Sequence, residues 1–219
     1  MIEPRSILII TSCTSLKNDG GHEKLIAERL YDGEQHRRLM RGVNAYRQAS
    51  TGFKIDLRIL SAGYGLVDGN WPLSPYDTSF ADLKKSEIDE KAAALDIPVD
   101  VAEVLSRDHA LVILLLGDDY MRAASINSDS KFASPTIAFG GNQLALRLGD
   151  VSNLKIVAAG KDQARRFSCG LVGLKGELAG RLLEQMAFQV ELINEVVDPG
   201  FDVLDLIDFA SQQTLEISA

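Results

Sequence analysis

Two short stretches hold most of the residue types that could do chemistry. The first is Thr11-Ser12-Cys13-Thr14-Ser15, followed by Lys17 and the pair Gly20-Gly21. Small hydroxyl residues let backbone amides approach an anion, and a helix beginning after the glycines would favour negative charge, so a phosphate or carboxylate fits there. It is not a Walker loop, because no glycine precedes a Lys-Ser or Lys-Thr pair at the required spacing. An ordinary strand-to-helix turn with a buried thiol at Cys13 accounts for the same residues. The second stretch is Leu60-Ser61-Ala62-Gly63-Tyr64-Gly65-Leu66-Val67, continued by Trp71-Pro72-Leu73-Ser74-Pro75-Tyr76-Asp77. Gly63 and Gly65 permit an unusual backbone path around Tyr64, whose ring could stack on a planar ligand, while Pro72 and Pro75 stiffen the segment presenting Tyr76 and Asp77. Two tyrosines, a tryptophan and a carboxylate suit a flat, hydrogen-bonding ligand such as a nucleobase. The structural alternative is that Tyr64 and Trp71 plug the end of the core and Asp77 caps the next helix.

The elements around these stretches must place them at strand ends. Ser6 to Ser12 is an apolar, β-branched run and reads as a buried parallel strand. Phe53 to Ser61 alternates Phe53, Ile55, Leu57 and Ile59 with Lys54, Asp56 and Arg58, the period of a strand. His109 to Leu116, Pro135 to Phe139 and Leu154 to Ala159 supply three more. Helical spacing marks His22 to Tyr31, Glu34 to Gln48, Ser79 to Leu95 with Ser79 as its cap, Val99 to Arg107 and Phe201 to Gln213, and Leu171 to Phe188 is a long helix or a short turn followed by one. Gly33 divides the first two, and the stretch NQLALRLGD stays unassigned. Strands alternating with helices predict an α/β fold: one domain over residues 1–219, with a central, mostly parallel sheet and helices on both faces. Ligands of such sheets gather at the C-terminal ends of the strands, and strand ends that build one site must be neighbours, so Cys13 and Ser61 are expected within one cleft.

Composition narrows the function classes. With 46% hydrophobic and 25% charged residues the chain has the makings of a packed core. Its longest apolar run, Ala110 to Leu116, is too short to span a bilayer, and the N-terminus lacks signal-peptide features, so a cytoplasmic location is expected. Cys13 and Cys169 are too few for a disulfide framework, and no Cys or His pair has metal-ligand spacing, so neither a metal nor a cofactor is expected. The formal charge of −8 argues against indiscriminate nucleic-acid binding. That charge is uneven: Leu182 to Ala219 carries eight acids and no Lys or Arg, so the remainder is neutral overall. Within the remainder, Arg37, Arg38, Arg41, Arg47, Lys54 and Arg58 outnumber Glu34 and Asp56, which makes a local basic face with Arg37, Arg38 and Arg41 as nucleic-acid contacts conceivable. His22, His36 and His109 are scattered and show no triad partner.

The run ILSAGYGLV, with its following proline and SPYD, resembles the LSGxYGxL and PYR segment of the YaaA-like proteins, a bacterial group tied to peroxide stress and DNA. With SCTSLK and the pair Leu30-Tyr31 added, it resembles more closely an uncharacterised branch of that superfamily. The resemblance covers chiefly residues 5–77. It implies a fold similar to the uracil-DNA glycosylases and a site built from both motifs, with Ser12, Cys13, Lys17, Tyr31, Ser61, Tyr64, Gly65, Pro75, Tyr76 and Asp77 on the shared positions. Asp77 stands where YaaA itself has arginine, which together with the acidic balance argues against DNA-backbone binding. A separate stretch, Leu171 to Ala179, resembles a helix-hairpin-helix turn, with Lys175 where its second glycine is expected and Gly176 one place late. Arg165, Arg166, Lys175 and Arg181 would be its phosphate contacts; a helix N-terminus with a solvated basic face is the plainer reading.

Two functions follow from these residues. One is an enzyme acting on the N-glycosidic bond of a nucleoside, nucleotide or nucleic acid, with Tyr64 as the base platform, Asp77 as the catalytic carboxylate and the Ser12 to Lys17 loop as the anion site. The other is a noncatalytic nucleotide- or nucleic-acid-binding protein in stress response or defence against foreign DNA. A redox sensor working through Cys13 is a third, and would need an accessible thiol of low pKa.

Overall fold

The computed structural model describes residues 5–18, 23–49 and 52–208. Its frame is a six-stranded sheet of order β4-β3-β1-β6-β7-β8. These strands are β1 (Ser6–Ser12), β3 (Lys54–Ser61), β4 (Gly65–Asp68), β6 (Leu111–Leu115), β7 (Thr136–Gly140) and β8 (Leu154–Ala158). All neighbours pair parallel except β3 with β4. A two-residue ladder joins β2 (Leu25–Ile26) to β5 (Pro72–Leu73). Every residue of β6 and β7, and Ile7 to Thr11 of β1, is buried. Strands buried on both faces need cover on both faces, which is why they read as continuous apolar runs rather than as alternation.

The helices supply that cover. Among the described residues α1 (Ala27–Leu30), α2 (Glu34–Ala49), α3 (Lys85–Ala94), α4 (Ile97–Leu105), α5 (Asp118–Ala123), α6 (Asn142–Leu148), α7 (Lys161–Arg166), α8 (Leu171–Phe188) and α9 (Leu192–Glu195) follow in chain order. From β1 the chain crosses to β3 on one side, whereas β6, β7 and β8 follow one another on the other side. Right-handed crossovers in opposite directions put α2 on one face and α5 and α6 on the other. α8 packs along α2, and α3 packs on α4 and α5. None of the described helices is long and apolar enough to cross a membrane.

Several expectations are corrected. The helix expected over His22 to Tyr31 is only α1, because Leu25 and Ile26 are taken by the ladder with β5; His22, with Gly20 and Gly21, lies outside the described residues. The unusual backbone path at Gly63-Tyr64-Gly65 is the turn of a hairpin, since Gly65 to Asp68 returns antiparallel along β3. Ser79 caps no helix: it accepts from Ala81 N at 3.1 Å, and α3 starts only at Lys85. The unassigned stretch at 142 is α6, and α5 and α7 are further short helices that periodicity cannot register over six residues each. Of the terminal helix expected to Gln213, residues 203–208 are helical and 209–213 lie outside the described residues.

The helix-hairpin-helix reading is overturned. Leu171 to Ala179 runs inside the single helix α8, and its glycines face α2. A Cβ on Gly176 would stand 1.9 Å from the Gln35 carbonyl oxygen, one on Gly180 2.5 Å from that of Arg38, and one on Gly42 2.1 Å from that of Gly180. Glycines three and four residues apart share one helix face, and here they let two backbones touch.

Candidate functional site

Both motifs meet at the C-terminal ends of β1 and β3. The strands pair Ser12 with Leu60, and Cys13 N donates to the Leu60 carbonyl at 2.9 Å. Ser61, fully buried, accepts from the backbone N–H groups of Gly63 and Tyr64, both at 3.1 Å. With both lone pairs of its hydroxyl engaged, its proton goes to the Tyr76 oxygen, 2.6 Å away. Tyr76 in turn shares a hydrogen bond with the Tyr31 hydroxyl at 3.0 Å. Close by in the same site, the Cys13 thiol and the Tyr120 hydroxyl are 3.0 Å apart. Burial pushes the Tyr31 phenol up to about 12. It also raises those of Tyr76 and Tyr120, with Cys13 adding to both shifts. All three phenols are therefore neutral donors at physiological pH.

The rings set the walls. Tyr64 stands edge-on to Tyr76, with centroids 5.2 Å apart, and Lys17 holds its ammonium 4.3 Å from the Tyr76 ring centroid, a cation–π contact. Lys17 is placed there by a backbone bridge to Tyr31. The Tyr64 hydroxyl donates to the Ser74 carbonyl at 3.2 Å, which fixes the ring while leaving the residue 42% exposed. A Cβ at Gly63 would come within 2.7 Å of the Tyr76 ring. Gly65 adopts φ +78°, and a Cβ there would meet the Leu95 carbonyl oxygen at 2.8 Å. Gly65→Ala should therefore cost about 1–2 kcal/mol for the left-handed conformation alone, before the clash with Leu95. Urea unfolding reads this directly, and an unchanged midpoint would contradict the geometry.

Asp77 is exposed and forms no hydrogen bond or ion pair among the described residues. It caps no helix, and nothing orients its carboxylate toward the hydroxyl cluster. Two members of the site carried no signal in the motifs. Tyr120 comes from α5, where an aromatic residue among polar neighbours gives no hint of a partner at Cys13. Gln35, at the start of α2, donates its side-chain N–H groups to Thr11 Oγ1 at 3.3 Å, Ser12 Oγ at 3.4 Å and the Leu115 carbonyl at 3.0 Å. It thus ties the end of β1 to that of β6, where the strand order reverses direction.

The proposed nucleic-acid contacts lie elsewhere and are engaged. Arg37 pairs with Glu34, Arg38 with Glu34 and Glu177, and Arg41 with Glu177 and Glu184. Arg165 pairs with Asp162, and Arg166 with Asp205 and Asp208. Lys175 donates to the Leu116 carbonyl. The acids of α8 and of the C-terminal segment answer the basic stretch, so no single-sign face results. His36 and His109 are structural: the Nε2 of His36 bonds the Glu28 carbonyl and that of His109 the Val104 carbonyl, each at 2.9 Å. No protein-family model matches the chain, and no curated protein matches it.

Proposed function

We propose that this protein binds a nucleoside or nucleotide at the C-terminal edge of β1 and β3, and binds it without turnover. The observation that carries the reading is the hydroxyl chain Ser61–Tyr76–Tyr31 beside the Cys13–Tyr120 pair. Neutral donors in a buried cluster next to a half-exposed aromatic ring suit a flat ligand with acceptors along its edge. The resemblance of this same stretch to the YaaA-like proteins points the same way. The noncatalytic form is favoured because Asp77, the carboxylate a glycosidic-bond enzyme would use, is exposed and oriented by nothing. Stabilising oxocarbenium charge asks for a carboxylate held in place in a dry site.

The test is a panel of nucleosides, nucleotides and short single strands, with binding and base release followed together. Tyr64→Ala removes a stacking face worth about 1–3 kcal/mol, so affinity should fall roughly 5- to 150-fold. Tyr64→Phe should stay within a few-fold. Asp77→Asn should leave binding unchanged. Base release by the wild type that disappears in Asp77→Asn would establish the enzyme instead, and binding indifferent to Tyr64→Ala would remove the site.

A further inference from the structure

A second feature lies on the same edge of the sheet, at the ends of β6, β7 and β8. There Leu116-Gly117-Asp118, Gly140 to Leu144 and Gly160 to Gln163, with Lys175 of α8, enclose a cleft of about 460 Å³. That is the size of a small-molecule site, placed where parallel sheets hold their ligands. Its charge follows from which groups are already paired. Asp118 is matched by Arg147 at 3.3 Å and Asp162 by Arg165 at 3.2 Å. Lys175 and Lys161 pair with no carboxylate among the described residues: Lys175 bonds only the neutral Leu116 carbonyl, and Lys161 makes no side-chain bond. Asp118 acts on Lys175 through space without an ion-pair contact, and two ammonium groups with no carboxylate in direct contact match a dianion better than a monoanion, which favours phosphate over carboxylate. Burial draws the Lys175 ammonium below its ordinary range, a cost that a bound anion offsets.

The turns also leave room. A Cβ on Gly117 or Gly141 would meet nothing within 4 Å, and their φ angles of −80° and −78° suit any residue. Neither packing nor conformation demands glycine at these two positions, whereas at Gly140 a Cβ would press to 2.3 Å from the Leu144 side chain. Neighbouring strands stand about 4.8 Å apart, so the end of β6, where Lys175 bonds Leu116, is about 10 Å from that of β3, which leads into Tyr64, with β1 between them. That separation is within the reach of a nucleoside 5′-phosphate lying across the edge.

We infer that this cleft binds the phosphate group of a small molecule, with Lys175 and Lys161 as the cations that contact it. The identity of the molecule rests on the nucleotide reading above; the phosphate site itself does not. The test is calorimetric titration of the full chain at low ionic strength with inorganic pyrophosphate, adenosine and adenosine 5′-monophosphate. It compares wild type with Lys175→Met and Gly141→Asp. The aspartate enters open space with an allowed backbone, so that variant folds even if Lys175→Met does not, and thermal unfolding checks both. Saturable pyrophosphate binding by the wild type that falls at least tenfold in Gly141→Asp, and in Lys175→Met where folded, supports the site. No saturable binding of pyrophosphate or the monophosphate, or binding unaffected by Gly141→Asp, overturns it. Adenosine binding that gains nothing from the 5′-phosphate, with no pyrophosphate binding, sinks this inference and leaves the nucleoside site standing. Pyrophosphate binding without any nucleoside or nucleotide binding does the reverse.

Discussion

Glu177→Ala is expected to remove about 3 kcal/mol of stability, the low end of the range for breaking a buried ion pair. The Glu177 carboxylate is 3% exposed between α2 and α8 and is held by Arg38 at 2.7 Å, Arg41 at 3.3 Å and Arg181 at 2.6 Å. Removing it leaves three guanidinium groups facing one another. Each reaches water in part, which places the cost at the low end. The same cluster makes stability depend on acid. Burial alone would raise the Glu177 carboxyl, but the arginines outweigh it and hold it at about 2 against an ordinary 4.5. The unfolded chain therefore takes up this proton near pH 4.5, while the folded chain resists until about pH 2. Its contribution is complete above pH 4.5 and is lost as pH falls from there toward 2. Glu34, exposed and lowered by Arg38, adds to the same limb. Urea midpoints measured from pH 7 to 2 should fall steeply in that window for the wild type and less steeply for Glu177→Gln. Parallel curves would show that the carboxylate is not the group that titrates.

Gly176→Ala is expected to cost about 2 kcal/mol net, the upper end of the overpacking cost less the helix gain of alanine. Alanine in a helix interior gains about 1 kcal/mol over glycine, so an exposed site would be stabilised. Here the new methyl carbon would lie 1.9 Å from the Gln35 carbonyl oxygen, and backbone cannot rotate away as a side chain can. Separating α2 from α8 opens the packed seam, and overpacking of this kind costs about 1–3 kcal/mol, sometimes more. Gly170→Ala is the steric control, because a Cβ there meets nothing within 4 Å, and its midpoint should fall only by the N-cap preference for glycine over alanine. The consequence reaches the site. Displacing the first turn of α2 moves Gln35 away from Thr11, Ser12 and Leu115, so ligand affinity should fall with stability in Gly176→Ala. Full affinity in a destabilised variant would show that Gln35 does not hold the strand ends together.

Local pattern reached some parts of this molecule and not others. The strands β1, β3, β6, β7 and β8 and the helix α2 were legible because buried strands and long amphipathic helices write their periods over many residues. The juxtaposition of Cys13 with Ser61 was legible too, since strand ends carrying unusual turn residues must be neighbours to form one site, and β1 and β3 are. The fate of the charges was not legible. Arg38 and Arg41 read as part of a basic face because Glu177 and Glu184, which they meet in the fold, lie more than a hundred residues away, whereas Arg37 pairs only with the nearby Glu34. The glycines of α8 read as a turn because glycine permits both a bend and a close approach, and only the helix across from it tells which.

By itself the sequence determined the class of the fold, since binary pattern and strand-helix alternation are local quantities that specify which surfaces must be buried. It also determined that Ser61, Gly63, Tyr64 and Gly65 form an unusual strand end. The tertiary structure alone decided that Tyr31, Tyr76 and Ser61 share one hydrogen-bond chain, that Tyr120 and Gln35 join the site, and that Asp77 stands outside it. It alone decided, as well, that Lys175 faces a cleft rather than a hairpin. The reason is the range of the interactions: hydrophobic periodicity is set by neighbours a few positions away, whereas hydrogen bonds and ion pairs act over about 3 Å between residues that only the folded backbone brings together.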